Sequence, residues 1–242
     1  MLIYGLHAVV EALRSGRVRR IRVGARADRR VQEAIALAGA RGIPVEHADA
    51  QALDRASRGG VHQGIVAEIA PPRAYSISDL VAGAAPAAPL LLVLDGVEDP
   101  HNVGAVLRAA DAVGCHGIVR QARRAAPLEG TVMKASAGAA AHVRIATVVN
   151  IARAIDELKD AGVWTVGLAI DGAERYDQVD FTLSTALVLG AEGRGLRRLV
   201  AERCDRLVAI PMQGAVSSLN VSVAAGVTLF EAARQRWSRA HG

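Results

Sequence analysis

Residues Asp95 to Cys115 read DGVEDPHNVGAVLRAADAVGC, directly after the apolar run PLLLVL. An apolar run followed by such a stretch marks a parallel strand turning into a helix. In dinucleotide-binding folds that turn is glycine-rich and reads GxGxxG. Here it carries Asp-Pro-His-Asn, with Arg108 six residues after Asn102. An amide can both donate and accept a hydrogen bond, and a guanidinium is a planar fork for phosphate or a developing negative charge. Each residue also has a plain reading. Asn102 is well placed to cap a helix, and Arg108 fits a solvated helix surface.

Two further stretches carry the same kind of side chain. LVLGAEGRGL spans Leu187 to Leu196 and contains Glu192 between glycines. VAIPMQGAVSSLNVSVAAG spans Val208 to Gly226 and contains Ser217, Ser218 and Asn220. Singly, the first could be a flexible turn and the second a serine cap. Each is a strand running into a polar turn and then a helix. In open α/β sheets, ligands bind beyond the carboxyl ends of the strands, where such turns lie.

The elements that would position these turns follow from the pattern. From Pro89 onward, strand candidates are LLLVLDG, HGIVRQ, HVRIATV, VWTVGLAI, TALVLG and RLVAIPM. Most of the segments between them fit helices. NIARAIDELKDAG is one, with Asn150 as N-cap and Gly162 at its end. The last helix is expected from near Leu219 to about Arg236. Alternating strands and helices predict a mostly parallel sheet covered on both faces.

The first part of the chain is separate in charge as well as pattern. Residues 1–73 hold 12 Arg and no Lys against 7 Asp and Glu, whereas residues 74–242 hold 17 basic and 17 acidic residues. The whole net charge of +5 therefore lies in the first third. A basic module joined to a neutral one points to a polyanion, and an arginine-rich solvated surface is the plain alternative. RRIRVGA, IPVEHAD and QGIVAEI predict three short strands, with helices between them over DRRVQEAIALAGARG and DAQALDRASRG. MLIYGLHAVVEALRSG reads as an amphipathic helix. The expected division is a small α/β domain over 1–72, a proline-rich linker over 73–88 with one short helical turn, and an α/β domain over 89–242.

Other classes are excluded or disfavoured. The apolar runs are too short to span a bilayer. The N-terminal stretch lacks the basic start, apolar block and cleavage site of a signal peptide. Cys115 and Cys204 are the only cysteines. Two make neither a disulfide framework nor a zinc site, so both are expected reduced, in a cytoplasmic protein with no metal. A P-loop GxxxxGK[ST] is absent.

NVGAVLRAA, LGAEGRGL and IPMQGAVSSLNVSVAAG, in that order, resemble the three motifs of the SpoU family of RNA ribose 2′-O-methyltransferases, within the SPOUT superfamily. The resemblance covers nearly the whole chain. YGLHAVVEAL and VHQGIVAEI are similar to the substrate-binding domain of the branch that methylates a guanosine ribose in large-subunit (23S) ribosomal RNA. The one departure is AGAAAH, where many relatives carry an acidic residue in place of Ala141. The resemblance implies a C-terminal domain with a deep trefoil knot, a homodimer whose active site lies near the interface, and S-adenosylmethionine bound in the knot.

It also implies roles. Gly190, Ile210 and Leu219 match the cofactor positions. Arg108 matches the proposed catalytic arginine, whose role is best read as stabilising a forming alkoxide and gripping a phosphate, since a guanidinium stays protonated. Asn102 and Asn220 would position Arg108 and the ribose, Glu192 would orient the polar cluster, and Ser218 would bond near the nucleophile. Two other readings stay open: a transfer-RNA methyltransferase of the same family, and a non-catalytic RNA-binding relative. The second is disfavoured because Asn102, Arg108, Glu192, Ser218 and Asn220 are all present.

Overall fold

The computed structural model describes residues 2–25, 28–70, 74–123, 125–128 and 130–241. They fall into two compact units, Met1–Arg73 with Pro127–His142, and Ala74–Ala126 with Val143–Gly242.

The first unit runs β1 (Leu2–Tyr4), α1 (Leu6–Arg14), β2 (Val18–Gly24), α2 (Arg29–Ala40), β3 (Val45–Ala48), α3 (Ala50–Ser57) and β4 (Ile65–Ile69). The three expected strands form, and β1 is a fourth. It lies inside the stretch read as one helix. Three residues are too few to set a period, and Gly5, at φ +88°, breaks the chain between strand and helix. The sheet order is β1-β4-β2-β3, with β4 antiparallel to β1 and β2. Asp28 and Asp49 cap α2 and α3 through their carboxylates. Gln63 does this for α1 from a distance: its Oε1 accepts from Leu6 N at 3.0 Å.

The second unit opens with α4 (Ile77–Ala82), then β5 (Leu90–Asp95), α5 (Pro100–Ala112) and β6 (Gly117–Gln121). The short helix α6 (Thr131–Ala135), next in the chain, belongs to the first unit, and the second resumes with β7 (Ile145–Val148), α7 (Ile151–Asp160), β8 (Trp164–Leu168), β9 (Glu174–Arg175), β10 (Thr185–Gly190), α8 (Arg198–Arg203), β11 (Arg206–Ala209) and α9 (Val221–His241). All six expected strands form, and a two-residue edge strand, β9, was not foreseen. The seven-stranded sheet is parallel throughout, in the order β7-β6-β5-β10-β8-β11-β9.

Two expectations change. The stretch expected to be a linker is tied into the second unit's core. Ser76 and Asp79 form a reciprocal capping box for α4, and Ile77 and Leu80 are fully buried. Arg73 of that stretch, like Pro71 and Pro72 before it, lies outside the described residues. Residues 89–242 are not one unit either, because Pro127–His142 groups with the first. α6 packs on α1, and Arg17 donates to the carbonyls of Ala140 and Ala141. That contact holds the turn at Ala140 and Ala141.

The sheet of the second unit has two apolar faces, as a parallel sheet requires. Leu91, Val93, Val119, Ala186 and Val188 pack with Ile151, Ile155 and Leu158 of α7. Asn150 caps α7 through Arg153 N, and Gly162, at φ +75°, follows its end. The alternate residues Leu92, Leu94, Leu187 and Leu189 face the other way, where α5 and α9 pack together. α9 is also pinned at its far end. Arg236 donates to the carbonyls of Ala88, Pro89, Phe181 and Leu183, where the chain enters β5 and β10.

Candidate active site

The three polar turns converge at the carboxyl end of the parallel sheet. The first begins at Asp99, whose carboxylate accepts from His101 N at 2.8 Å and Asn102 N at 3.0 Å, with Pro100 in the first turn of α5. Asp99, not Asn102, is therefore the cap. The Asp-Pro pair was the signal for it in the sequence. Relieved of capping, the Asn102 side chain is available to other elements.

Asn220 takes it up. It precedes α9, and its Oδ1 accepts from Ser222 N at 2.8 Å and Ser222 Oγ at 2.6 Å, closing the helix start. Its Nδ2 donates to Asn102 Oδ1 at 3.0 Å and also to Glu192 Oε1. One amide thus joins all three turns. A lone Asn cap would have needed only the oxygen.

Beside this junction lies a cavity of about 880 Å³, walled by the chain beyond β8, β10 and β11. That is within the usual range for a small-molecule site. Gly190, Glu192, Ile210, Ser218 and Leu219 all line it, together with apolar Leu168, Leu189, Leu196 and Met212. The backbone of residues 212–219 makes no backbone hydrogen bond among the described residues, so its N–H and C=O groups are open to solvent or a ligand. Gly190 is needed for the loop itself. A Cβ there would lie 2.0 Å from Gly195 C, because residues 191 and 195 bridge back over it.

Asn102, Glu192 and Asn220 are thus brought together by hydrogen bonds, and Ser218, Gly190, Ile210 and Leu219 share the cavity with Glu192. Arg108 belongs to neither set within one chain. It is exposed on α5, with no hydrogen-bond or ion-pair partner among the described residues. Asn102 and Arg108 lie about 120° apart around the helix, on opposite flanks of the buried stripe of Val103, Val106, Leu107 and Ala110. Asn102 and Asn220 bond to each other and to Glu192, and among the described residues neither bonds to Arg108.

One supporting pair escaped the sequence reading. Asp95, at the end of β5, is fully buried. Its Oδ2 accepts from Arg197 N at 2.9 Å and its Oδ1 from Arg197 Nε at 2.7 Å, while Arg197 Nη2 reaches Gln121 Oε1 at 3.1 Å. This ties the turn after β10 to the strand that launches α5. An acid ending an otherwise apolar strand was the available signal.

Residues 89–230 match the model of the SpoU rRNA methylase family, and residues 2–75 match a model described as RNA 2′-O ribose methyltransferase substrate binding. The chain belongs to the SpoU rRNA methylase family. It is 47% identical over 99% of its length to a Yersinia pestis protein named 23S rRNA (guanosine-2′-O-)-methyltransferase RlmB, with 99% of that protein covered. The Escherichia coli K12 protein of the same name is 45% identical over 97% of this chain and 98% of its own. Among solved structures, the SpoU methyltransferase AviRb from Streptomyces viridochromogenes, in complex with AdoMet, superimposes with a TM-score of 0.82 at 26% identity, covering 98% of this chain and 91% of that one. A SpoU-family reading fits the three convergent turns.

Both cysteines are free thiols. Burial pushes Cys115 and Cys204 up to about 12, which leaves them unreactive near neutral pH. Among the described residues no three His, Cys, Asp or Glu side chains gather as a metal site. No described helix is long and apolar enough to cross a membrane.

Proposed function

We propose that this protein transfers a methyl group from S-adenosylmethionine to the ribose 2′-oxygen of a guanosine in large-subunit (23S) ribosomal RNA. The observation that carries the proposal is the Asn220 amide joining Asn102 and Glu192 at the rim of the cavity. When bound, S-adenosylmethionine supplies an electrophilic methyl group on a sulfonium centre. The chain around Gly190, Ile210 and Leu219 would hold it, through apolar walls and the free backbone groups of residues 212–219. In this reading the three loops are the knotted part of the chain.

The side chains then serve the ribose. The 2′-oxygen would bond to the methyl carbon as that carbon's bond to sulfur breaks, and its proton would pass to solvent water. Glu192 fixes the Asn220 amide, which fixes Asn102, so the polar rim is ordered before substrate arrives; such ordering can supply several kcal/mol of a barrier reduction. Ser218 offers a hydroxyl beside the cavity. Arg108 supplies a positive charge to the developing alkoxide or to the adjacent phosphate.

The acting unit is a homodimer. α9 exposes Val223, Phe230 and Trp237, seven residues apart and so on one stripe, a surface suited to a second copy. Because Arg108 joins neither the bonded junction nor the cavity wall within one chain, the dimer is the unit in which it acts.

Ribosomal RNA is favoured over transfer RNA by the extent of the match. A structure described as an A. aeolicus TrmH/SpoU tRNA modifying enzyme covers 66% of this chain at a TM-score of 0.58, whereas the 23S-named relatives match it end to end. The test is to incubate the protein with labelled S-adenosylmethionine and separate ribosomal and transfer RNA, then locate the labelled ribose. Label confined to transfer RNA would move the proposal to the second substrate.

A further inference from the structure

Arg120 lies outside the machinery described above. It sits near the carboxyl end of β6, with its Cα opposite Leu94 of β5 and Thr147 of β7. Its side chain shares the sheet face that α5 covers, at the margin where Thr147 is exposed. Only 8% of Arg120 is exposed, yet its Nε and Nη1 are buried without a hydrogen-bond partner. Arg203 also has an orphan Nε, but its Nη1 pairs with Asp156. Arg120 pairs with no carboxylate among the described residues. Burial alone acts on its pKa, lowering it from the usual arginine value.

A buried guanidinium stays charged, and an uncompensated buried charge is costly to keep. An anion from outside the chain would complete it. The position says which kind. β6 is the neighbour of β5, and the turn after β5 leads to Asn102. The chain from residue 112 to residue 128 holds three arginines, Arg120, Arg123 and Arg124, and no acidic residue. A planar two-pronged donor in such a setting matches the non-bridging oxygens of a phosphodiester.

We propose that Arg120 is an anchor for a backbone phosphate of the RNA substrate, beside the ribose that reacts. The proposal rests on the reading of the site as an RNA ribose methyltransferase and names a substrate contact that reading does not include.

The test is binding of transcribed large-subunit ribosomal RNA by the full-length protein over a range of salt concentrations, for wild type and Arg120→Met. The variant removes the charge and roughly keeps the side chain's length. The expected result is roughly tenfold weaker RNA binding and a salt slope shallower by about one, as loss of one phosphate contact requires. S-adenosylmethionine affinity should be unchanged, and KM for RNA should rise with little change in kcat. Unchanged RNA affinity and slope would overturn the proposal. So would an unchanged slope with a dimer that dissociates more readily in sedimentation, which would assign the guanidinium to a carboxylate of a second copy. Should Arg120→Met not fold, Arg120→Lys reads the same contact: several-fold weaker RNA binding at a preserved slope supports it, and wild-type affinity overturns it. Failure of the wider reading would be seen separately, as wild-type protein that methylates no RNA while the binding measurements still stand.

Discussion

The Nδ2 of Asn220 lies 3.0 Å from the Oδ1 of Asn102, across a separation of 118 residues. The same amide also meets Glu192. Asn220 therefore has two separable jobs. Its oxygen caps α9, and its nitrogen holds the three turns in one arrangement.

Substitution can split these jobs. Asn220→Asp keeps the capping oxygen and loses the donor, and it places a second carboxylate against Glu192. Asn220→Ala loses both. We expect Asn220→Asp to lower the single-turnover methylation rate by roughly a hundredfold, comparable to loss of one preorganised donor. Thermal unfolding should show Asn220→Ala paying about 1 kcal/mol for the missing cap. Wild-type turnover by Asn220→Asp would mean that the bridge is structural only.

Arg108 makes a prediction of a different shape. Arg108→Ala should leave S-adenosylmethionine binding and dimerisation intact and slow methyl transfer by about 3–4 kcal/mol of lost charge stabilisation. Arg108→Lys should rescue little, since it lacks the planar fork. If the dimer is the acting unit, mixing Arg108→Ala with Glu192→Ala subunits should restore part of the rate that each homodimer lacks. No recovery in verified mixed dimers would place Arg108 and Glu192 in the same subunit's site.

The second unit should carry an acid-sensitive contribution at Asp205. Burial opposes the charge of this carboxyl, but Thr165 N at 2.9 Å, Thr165 Oγ1 at 2.7 Å and Lys159 Nζ at 2.9 Å outweigh it and hold its pKa below the ordinary 3.8. A depressed folded-state pKa gives stability that is present above the unfolded value and lost as pH falls through the folded one. Asp205→Ala should therefore cost about 2–3 kcal/mol at pH 7. The gap from wild type should narrow below about pH 4. A gap that stays constant down to pH 3 would rule out ionisation as its source.

The basic charge of the first unit is not all available to RNA. Arg20 and Arg22 are engaged by Glu46 and Glu68 across the sheet. Arg19, Arg55 and Arg58 are exposed, with no carboxylate partner among the described residues. Replacing these three with Gln should flatten the salt dependence of RNA binding by about two to three phosphate contacts, with S-adenosylmethionine affinity unaffected. The same change at Arg20 and Arg22 should flatten it less. Deleting residues 1–73 is a poorer test, because it would strip Pro127–His142 of the unit it packs into.

The sequence made the strand–turn–helix rhythm of the second unit readable, because buried parallel strands are continuous apolar runs and the helices between them are capped by recognisable residues. Asn150 and its helix are an example. It hid elements set by contacts distant in the chain. β1 is three residues that gain strand character only by pairing with β4, and although α4 could be read as a short helical turn, the core that holds it could not. At the site, residue types pointed to Asn102, Glu192 and Asn220, but not to the Asn220 amide as their common donor. Nor could the spacing of Asn102 and Arg108 tell that Asp99 does the capping. The acid that ends β5 could be seen in the sequence, but its partner Arg197, 102 residues away, could not.

The central claim is tested most directly by mapping 2′-O-methylation on transcribed 23S ribosomal RNA after incubation with the purified protein and S-adenosylmethionine. The account predicts a methyl group on one guanosine ribose, absent when Arg108→Ala replaces wild type and absent from transfer RNA treated in the same way. Methylation at a base atom, or on transfer RNA alone, would contradict it.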